Sequence, residues 1–471
     1  MQPKNTVQFV NKFWKDSVIP ALSDFVRIPC KSPDFDSNWQ KNGHLLKAAK
    51  LMAAWVEAQK IPGLKSKVIQ DRGKGPLLYV EIPGQVKNSV LFYGHLDKMP
   101  EAEGWNKGFG PWQPVIKGDR IYGRGTVDDG YAFFSYISAI KALAEQKIPY
   151  SRCVIIIEAG EEVGSPDMPY YFKKLRPVIG KIDLVVCFDL TAGDYERLWI
   201  TTSLRGRINC NLTAEVLKTA VHSGVASGIV PSSFRILRQL IARLEDADTG
   251  KILLKSCYNK IPKMHQHTAQ ALVKFLGKKL YTALPLAGNT QPLTKNIKEL
   301  ILNQFWRPFL CTIGARGFPD IQDAGNAMRP FTTLQLSLRV PPLCDPMKIT
   351  KELEKLFTSN PPYGAKVKFE FCSAAAGWAA TSMQPWLDHA LNTASKTYFG
   401  KPSLKISEGG SIGVITLLHQ AFPNAQFVLT GVSGPHSNEH GPNESLCLPA
   451  AQKLACCLAN ILKEQYLNAK K

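Results

Sequence analysis

The sequence holds no stretch approaching the roughly 20 consecutive apolar residues that a bilayer-spanning helix needs, and this argues against a membrane protein. Its first 30 residues, MQPKNTVQFVNKFWKDSVIPALSDFVRIPC, break their apolar positions with Lys, Asp and Arg. They lack the unbroken apolar core of a signal peptide and read as an amphipathic helix. Neither GxGxxG nor GxxxxGK[ST] occurs, so the glycine-rich phosphate cradles are missing. The eleven cysteines are odd in number and form no CxxC pair, and Cys153 and Cys187 lie inside apolar runs that look like buried strands. A disulfide frame or zinc knuckle is therefore not expected. Free thiols in a reducing compartment are, which makes the expected location cytoplasmic. There are no internal repeats and no block of consecutive basic residues.

What is present describes a globular protein. The 471 residues exceed one ordinary core and favour two domains, and 45% hydrophobic content with nine Trp leaves no long segment for disorder. The net charge of +20 is concentrated between residues 205 and 375, where 24 Lys and Arg face 11 Asp and Glu. Clustered cations can bind nucleic acid by releasing counterions. Without an RNA-binding signature the excess reads as a solvated basic surface, and neither nucleic acid nor membrane is an expected partner.

From about residue 75, β-rich runs alternate with helical ones, the pattern of an α/β domain with a mainly parallel sheet and helices on both faces. PLLYVEI, SVLFYGHLD, CVIIIEAG and DLVVCFDL are its clearest strands, and YAFFSYISAIKALAEQ has the periodicity of a crossover helix. Past Trp199 the texture becomes that of an α+β insert: TSLRGRINCNLTAEV and TLQLSLRVPP as strands, SSFRILRQLIARLED as a helix, and KVKFEFCSAAAGW closing it. A Pro-, Lys- and Gln-rich stretch near 258–296 reads as irregular. The expected division is residues 1–204 and 376–471 as one catalytic domain, with 205–375 inserted.

Polar clusters fall where the predicted strands end, the place where open α/β sheets bind ligands. In GHLDKMP, His95 and Asp97 are two apart and share a face. The carboxylate can support an imidazole that binds metal, although a capping or solvated role explains H-x-D alone. In GRGTVDDGY, Gly123 and Gly125 allow a tight turn before Asp128 and Asp129, where helix capping is the simpler alternative. IIIEAGEEVGS sets Glu161 beside Glu162, a repulsion that a cation relieves, leaving one carboxylate to ligate and the other to act as a base. CFDLTAG supplies Asp189, and SGPHSNEHGPNE supplies His436, Glu439, His440 and Glu444. Each has a bland explanation alone; five such clusters together point to metal chemistry.

GHLD, YGRGTVDDG, EAGEEVGS, the strand-end Asp189, GGSIGV and EHGPNE occur in the order of the dizinc metallopeptidase family that includes carnosinase, Xaa-dipeptidases, glutamate carboxypeptidase and succinyl-diaminopimelate desuccinylase, which the chain resembles over nearly its whole length. The resemblance implies that Asp128 bridges two divalent ions, zinc in the first place with manganese or cobalt as alternatives. His95 and Asp189 then complete one site, and Glu162 and His440 the other. It implies Glu161 as general base for a metal-bridging hydroxide, Asp97 as orienting group behind His95, and a cis peptide at Asp128–Asp129. His440, before Gly-Pro-Asn-Glu, matches the family histidine better than His436.

The same resemblance makes residues 205–375 a lid and dimerisation domain of a homodimer. His222 and Asn326 would help stabilise the oxyanion in the partner subunit's site, Arg339 would grip a substrate carboxylate, and Ser411 would bond near it. An aspartate at 189 resembles the dipeptidase and tripeptidase branch, so hydrolysis of dipeptides or short peptides is expected. An N-acyl amino acid deacylase and a catalytically idle basic binding protein are the alternatives. Two departures from the family pattern stand out. Gly130 and Tyr131 follow the aspartate pair where many relatives have Lys, and Met328-Arg329-Pro330 replaces the usual Ile-Pro near Asn326.

Overall fold

The computed structural model describes residues 1–86 and 88–470. The chain divides into two compact units: residues 1–201, 380–405 and 417–471 form the first, and residues 202–379 with 406–416 the second. Among the described residues no helix is long and apolar enough to cross a membrane.

The first unit is built on a mixed sheet. Its centre is parallel, with Ser89–His95 between Arg152–Glu158 and Leu184–Cys187, and Gln426–Leu429 beyond the last. All seven residues of Ser89–His95 are buried, as expected of a central parallel strand covered on both faces. The margin is antiparallel: Leu77–Ile82 runs against Arg152–Glu158, and Lys65–Ile69 against Leu77–Ile82. The α/β expectation holds, with the parallel pairing confined to the middle of the sheet. Leu77–Ile82 departs from it because the connection to Ser89–His95 is too short for the crossover that a parallel neighbour needs, and Lys65–Ile69 pairs with it in turn across a short loop.

From Ser89–His95 the chain crosses through helix Tyr131–Glu145 to Arg152–Glu158 on one side, then returns through helix Met168–Ile179 to Leu184–Cys187 on the other. Two right-handed crossovers in opposite directions put their helices on opposite faces. Phe92, Ile155 and Val186 join Tyr136, Ile140 and Leu458 in one core, while Leu91, Val154 and Val185 on the reverse face are equally buried. The order in which strands are added reverses at this point while the strands themselves stay parallel, which opens a crevice at the carboxyl ends of the three strands. The N-terminal amphipathic segment is helical over Pro3–Phe13 and Ile19–Val26 with a wider turn between, and Val10, Trp14, Val18 and Leu22 join the same core.

The second unit is a four-stranded antiparallel sheet, ordered Phe309–Arg316, Phe331–Val340, Gly206–Glu215, Lys366–Ala375. Ile208, Cys210, Leu212 and Ala214 alternate toward a core shared with Ile236 and Leu240 of helix Ser233–Ile241 and Ile349 and Leu353 of helix Pro346–Thr358. The stretch expected to be irregular contains helix Lys263–Leu276. His265, Thr268, Ala269 and Leu272 recur at helical spacing and are buried, and the His265 ring lies 4.6 Å from Trp306. Helical periodicity there outweighs a composition that suggested a loop.

Candidate metal centre

The three strands of the crevice deliver their polar residues at the carboxyl ends. His95 closes Ser89–His95, Glu161 and Glu162 follow Arg152–Glu158, and Asp189 lies two residues past Leu184–Cys187. His95 is 1% exposed. Its Nδ1 donates to the Asp97 carbonyl at 3.0 Å, so the other ring nitrogen faces the carboxylates. That Nε2 lies 3.0 Å from Asp128 Oδ1 and 3.7 Å from Asp189 Oδ2. The second oxygen of Asp128 lies 2.9 Å from His440 Nε2, which is itself 3.1 Å from Glu162 Oε2.

His95, Asp128 and Asp189 thus form one group with metal-ligand spacing, and Asp128, Glu162 and His440 a second, joined through the two oxygens of Asp128. The Asp128–Asp129 peptide is cis. The ring nitrogen beside Asp128 and Glu162 belongs to His440. His436 contributes its carbonyl to the Ser445 hydroxyl at 3.1 Å.

The electrostatics of this cluster call for cations. Burial raises Glu161 well above the ordinary carboxylate range, with the Asp189 charge next in effect, and the same burial raises Asp189. Burial, followed by the Asp128 charge, pushes Glu162 up to about 8. Asp128 goes the other way: burial opposes its ionisation, but bonds to His440 and His95 hold it low. Four carboxyl groups among two imidazoles in a desolvated crevice are too many for the histidines to neutralise. An imidazole and carboxylate donor set of this kind fits zinc, and also manganese or cobalt.

Supporting contacts connect distant parts of the chain. The Asp97 carboxylate accepts from Glu161 N–H at 3.1 Å, Glu162 N–H at 3.2 Å and the Ser32 hydroxyl at 2.6 Å. Its own carbonyl, rather than its carboxylate, orients His95, since Asp97 Oδ1 is 3.6 Å from Nδ1. Glu444 accepts from Gly125 N–H at 2.9 Å, Val127 N–H at 3.3 Å and Arg124 Nη1 at 2.7 Å, which ties the Asp128 turn to the His440 loop. Gly130 is required by packing, because a Cβ there would lie 2.4 Å from Gly125 O. Tyr131 Oη donates to Phe188 O at 2.6 Å, beside Asp189, and accepts from Val432 N–H at 3.2 Å.

Sequence patterning does not anticipate Ser32, Arg124 or the role of Glu444. The only local hint is an arginine between two glycines next to an acidic loop motif.

The remaining candidates lie in the second unit. His222 pairs with Ala327 across a two-residue ladder, and Ser223 N–H donates to Asn326 O at 2.9 Å, so His222 and Asn326 are neighbours. Arg339 lies in Phe331–Val340 opposite Arg207. The Ser411 hydroxyl donates to Arg205 O at 2.5 Å.

Comparison with known proteins agrees with this geometry. Residues 91–464 match the model of peptidase family M20/M25/M40. Over 418 residues the chain is 23% identical to a cysteinylglycine-S-conjugate dipeptidase of Corynebacterium striatum, covering 88% of this chain and 89% of that one. It is 24% identical over 392 residues to the human Beta-Ala-His dipeptidase, covering 79% and 74%. The solved structure of the dipeptidase Dug1p from Saccharomyces cerevisiae superposes with a TM-score of 0.77 at 22% identity, over 100% of this chain and 99% of that one, and so shares its fold. The chain belongs to peptidase family M20/M25/M40 and is a dinuclear metal-dependent peptidase.

Proposed function

We propose that this member of the M20/M25/M40 peptidases hydrolyses dipeptides and short peptides ending in a free carboxylate, with Glu161 as general base. The observation that carries the reading is the division of labour between adjacent glutamates. Glu162 faces His440, whereas the Glu161 side chain makes no hydrogen bond or ion pair among the described residues, although its backbone is anchored by Asp97. The dipeptidases among the relatives support the substrate class.

His95, Asp128 and Asp189 would hold one divalent ion, and Asp128, Glu162 and His440 the other, zinc being the first choice. Bound there, the ions supply Lewis-acid polarisation of the scissile carbonyl and acidify water. Glu161 removes a proton from the attacking water and returns it to the amine that leaves as the C–N bond breaks. Asp97 holds the Glu161 backbone and fixes the His95 ring. Arg339 pairs with the substrate carboxylate, Ser411 bonds beside it, and His222 and Asn326 of the partner copy in a homodimer donate to the oxyanion. Residues 205–375 act as lid and dimerisation domain, and the enzyme works in the cytoplasm.

The test is hydrolysis of a dipeptide panel, free and N-acylated, with and without chelator. Turnover that requires metal, Glu161 and a free amino group is the expected result. Activity indifferent to both chelator and Glu161→Ala would sink the reading, and faster cleavage of acylated substrates would make the enzyme a deacylase.

A further inference from the structure

The polar face of the four-stranded sheet carries two arginines side by side. Arg207 and Arg339 stand directly opposite one another on antiparallel strands. Residues so paired share a face with Cβ atoms about 4.5–5.5 Å apart, and like charges there destabilise the sheet. Arg205 lies two residues before Arg207. Among the described residues, none of the three forms an ion pair with Asp or Glu. The guanidinium of Arg205 donates, among the described residues, to the carbonyls of Gly409 at 3.4 Å, Asn303 at 3.5 Å and Arg307 at 3.4 Å alone. The Nε of Arg207 is buried without a hydrogen-bond partner, and so is Oδ1 of Asn209, the next residue on that face.

Burial compounds the repulsion. It lowers Arg339, with Arg207 adding to the effect, and it takes Arg205 down to about 10, with Arg339 adding. A carboxylate is satisfied bidentately by one guanidinium. A site that recognised only a peptide's C-terminal carboxylate would need Arg339 and would gain nothing from a second arginine facing it. Two opposed guanidinium groups with an unfilled donor instead match two anionic groups presented a few bonds apart.

We infer that Arg207 and Arg339 together bind the two carboxylates of an acidic C-terminal residue, so that the enzyme selects dipeptides ending in Glu or Asp. The inference rests on the reading of Arg339 as the residue that holds the substrate carboxylate. Arg207 is then a specificity residue: it determines which side chain is accepted next to the carboxylate that Arg339 holds.

The experiment compares kcat/KM for X-Glu and X-Gln dipeptides in the wild type, Arg207→Leu and Arg207→Lys. The wild type should prefer X-Glu by about tenfold or more, the scale of one charge-assisted hydrogen bond. The ratio should fall toward one in Arg207→Leu, chiefly through KM, and recover in part in Arg207→Lys. Arg207→Leu should melt no lower than wild type, since it removes a like-charge opposition, whereas loss of a merely structural arginine would lower the Tm. A wild-type ratio near one, or a ratio unmoved in Arg207→Leu, overturns the inference.

If the wild type cleaves no dipeptide, the dipeptidase reading itself has failed. The arginine pair is then judged by binding of glutarate against butyrate to the metal-loaded protein. A glutarate preference that Arg207→Leu abolishes supports the pair, and equal binding refutes it.

Discussion

The Asp97 carboxylate accepts a hydrogen bond from the backbone N–H of Glu161 at 3.1 Å, and its second oxygen accepts from Glu162 N–H at 3.2 Å. One side chain at the end of the central strand therefore sets the position of both glutamates, while its own carbonyl holds His95. Asp97→Ala removes the first contact set and leaves the last intact. Metal affinity and kcat should fall about 10- to 100-fold, the usual consequence of losing a group that orients ligands. Metal titration alongside kinetics checks this, and unchanged values would show that the glutamate loop holds itself.

Glu161→Gln should lower kcat by roughly 10² to 10⁴. Metal content and Tm should stay near wild type, because the side chain has no partner to lose. Loss of metal in this variant would instead make Glu161 a ligand.

Glu444→Ala strands Arg124, whose guanidinium is buried beside it at 2.7 Å. Removing one partner of a buried pair costs about 3–5 kcal/mol, and here it also frees the turn that carries Asp128. A drop in denaturant midpoint together with weaker metal binding is expected. Stability lost with metal affinity intact would separate the pair from the site.

Gly431 pairs with Asp189 through an isolated bridge, and a Cβ on it would lie 1.9 Å from Leu190 O and 2.6 Å from Phe188 O. Gly431→Ala must push apart the two segments that present Asp189. Overpacking of this kind costs about 1–3 kcal/mol. The variant should unfold earlier and bind one metal equivalent more weakly than the other, as a two-step titration would reveal.

Removing the metals should make stability fall with rising pH. Glu162, raised by burial to about 8 against an ordinary 4.5, keeps its proton in the folded state where the unfolded chain has lost it. His440, raised to about 11 from 6.5 by Asp128 and Glu162, acts in the same direction at higher pH. With more protons bound to the folded form, unfolding free energy declines as pH rises. Asp128, held low by its histidines, has the opposite effect only below its ordinary 3.8. The metal-free Tm should drop from about pH 4.5 through 8 as Glu162 titrates and on toward about 11 through His440, and the increment on adding metal should widen, since the ions take the place of those protons. A flat metal-free profile would mean that the carboxylates relax apart when empty.

By itself the sequence determines where chemistry can sit. Apolar runs such as VLFYG and VIII specify strands by local pattern, and each is followed within a few residues by His95 or by Glu161 and Glu162, so strand ends and acidic clusters coincide without knowledge of the fold. Helical spacing likewise determines Tyr131–Glu145, while in Lys263–Leu276 the same signal was masked by a loop-like composition.

Tertiary structure alone decides which groups meet. Asp128 stands between His95 and His440 because crossovers on opposite faces of the sheet bring three strand ends and a loop more than 250 residues downstream of them to one crevice. The clasp of Arg124 by Glu444 joins equally distant segments of the first unit, and the opposition of Arg207 to Arg339 is set by strand register in the second. Local periodicity contains no term for contacts between residues so far apart in the chain; those are set by how the sheet is ordered and how its strands are registered.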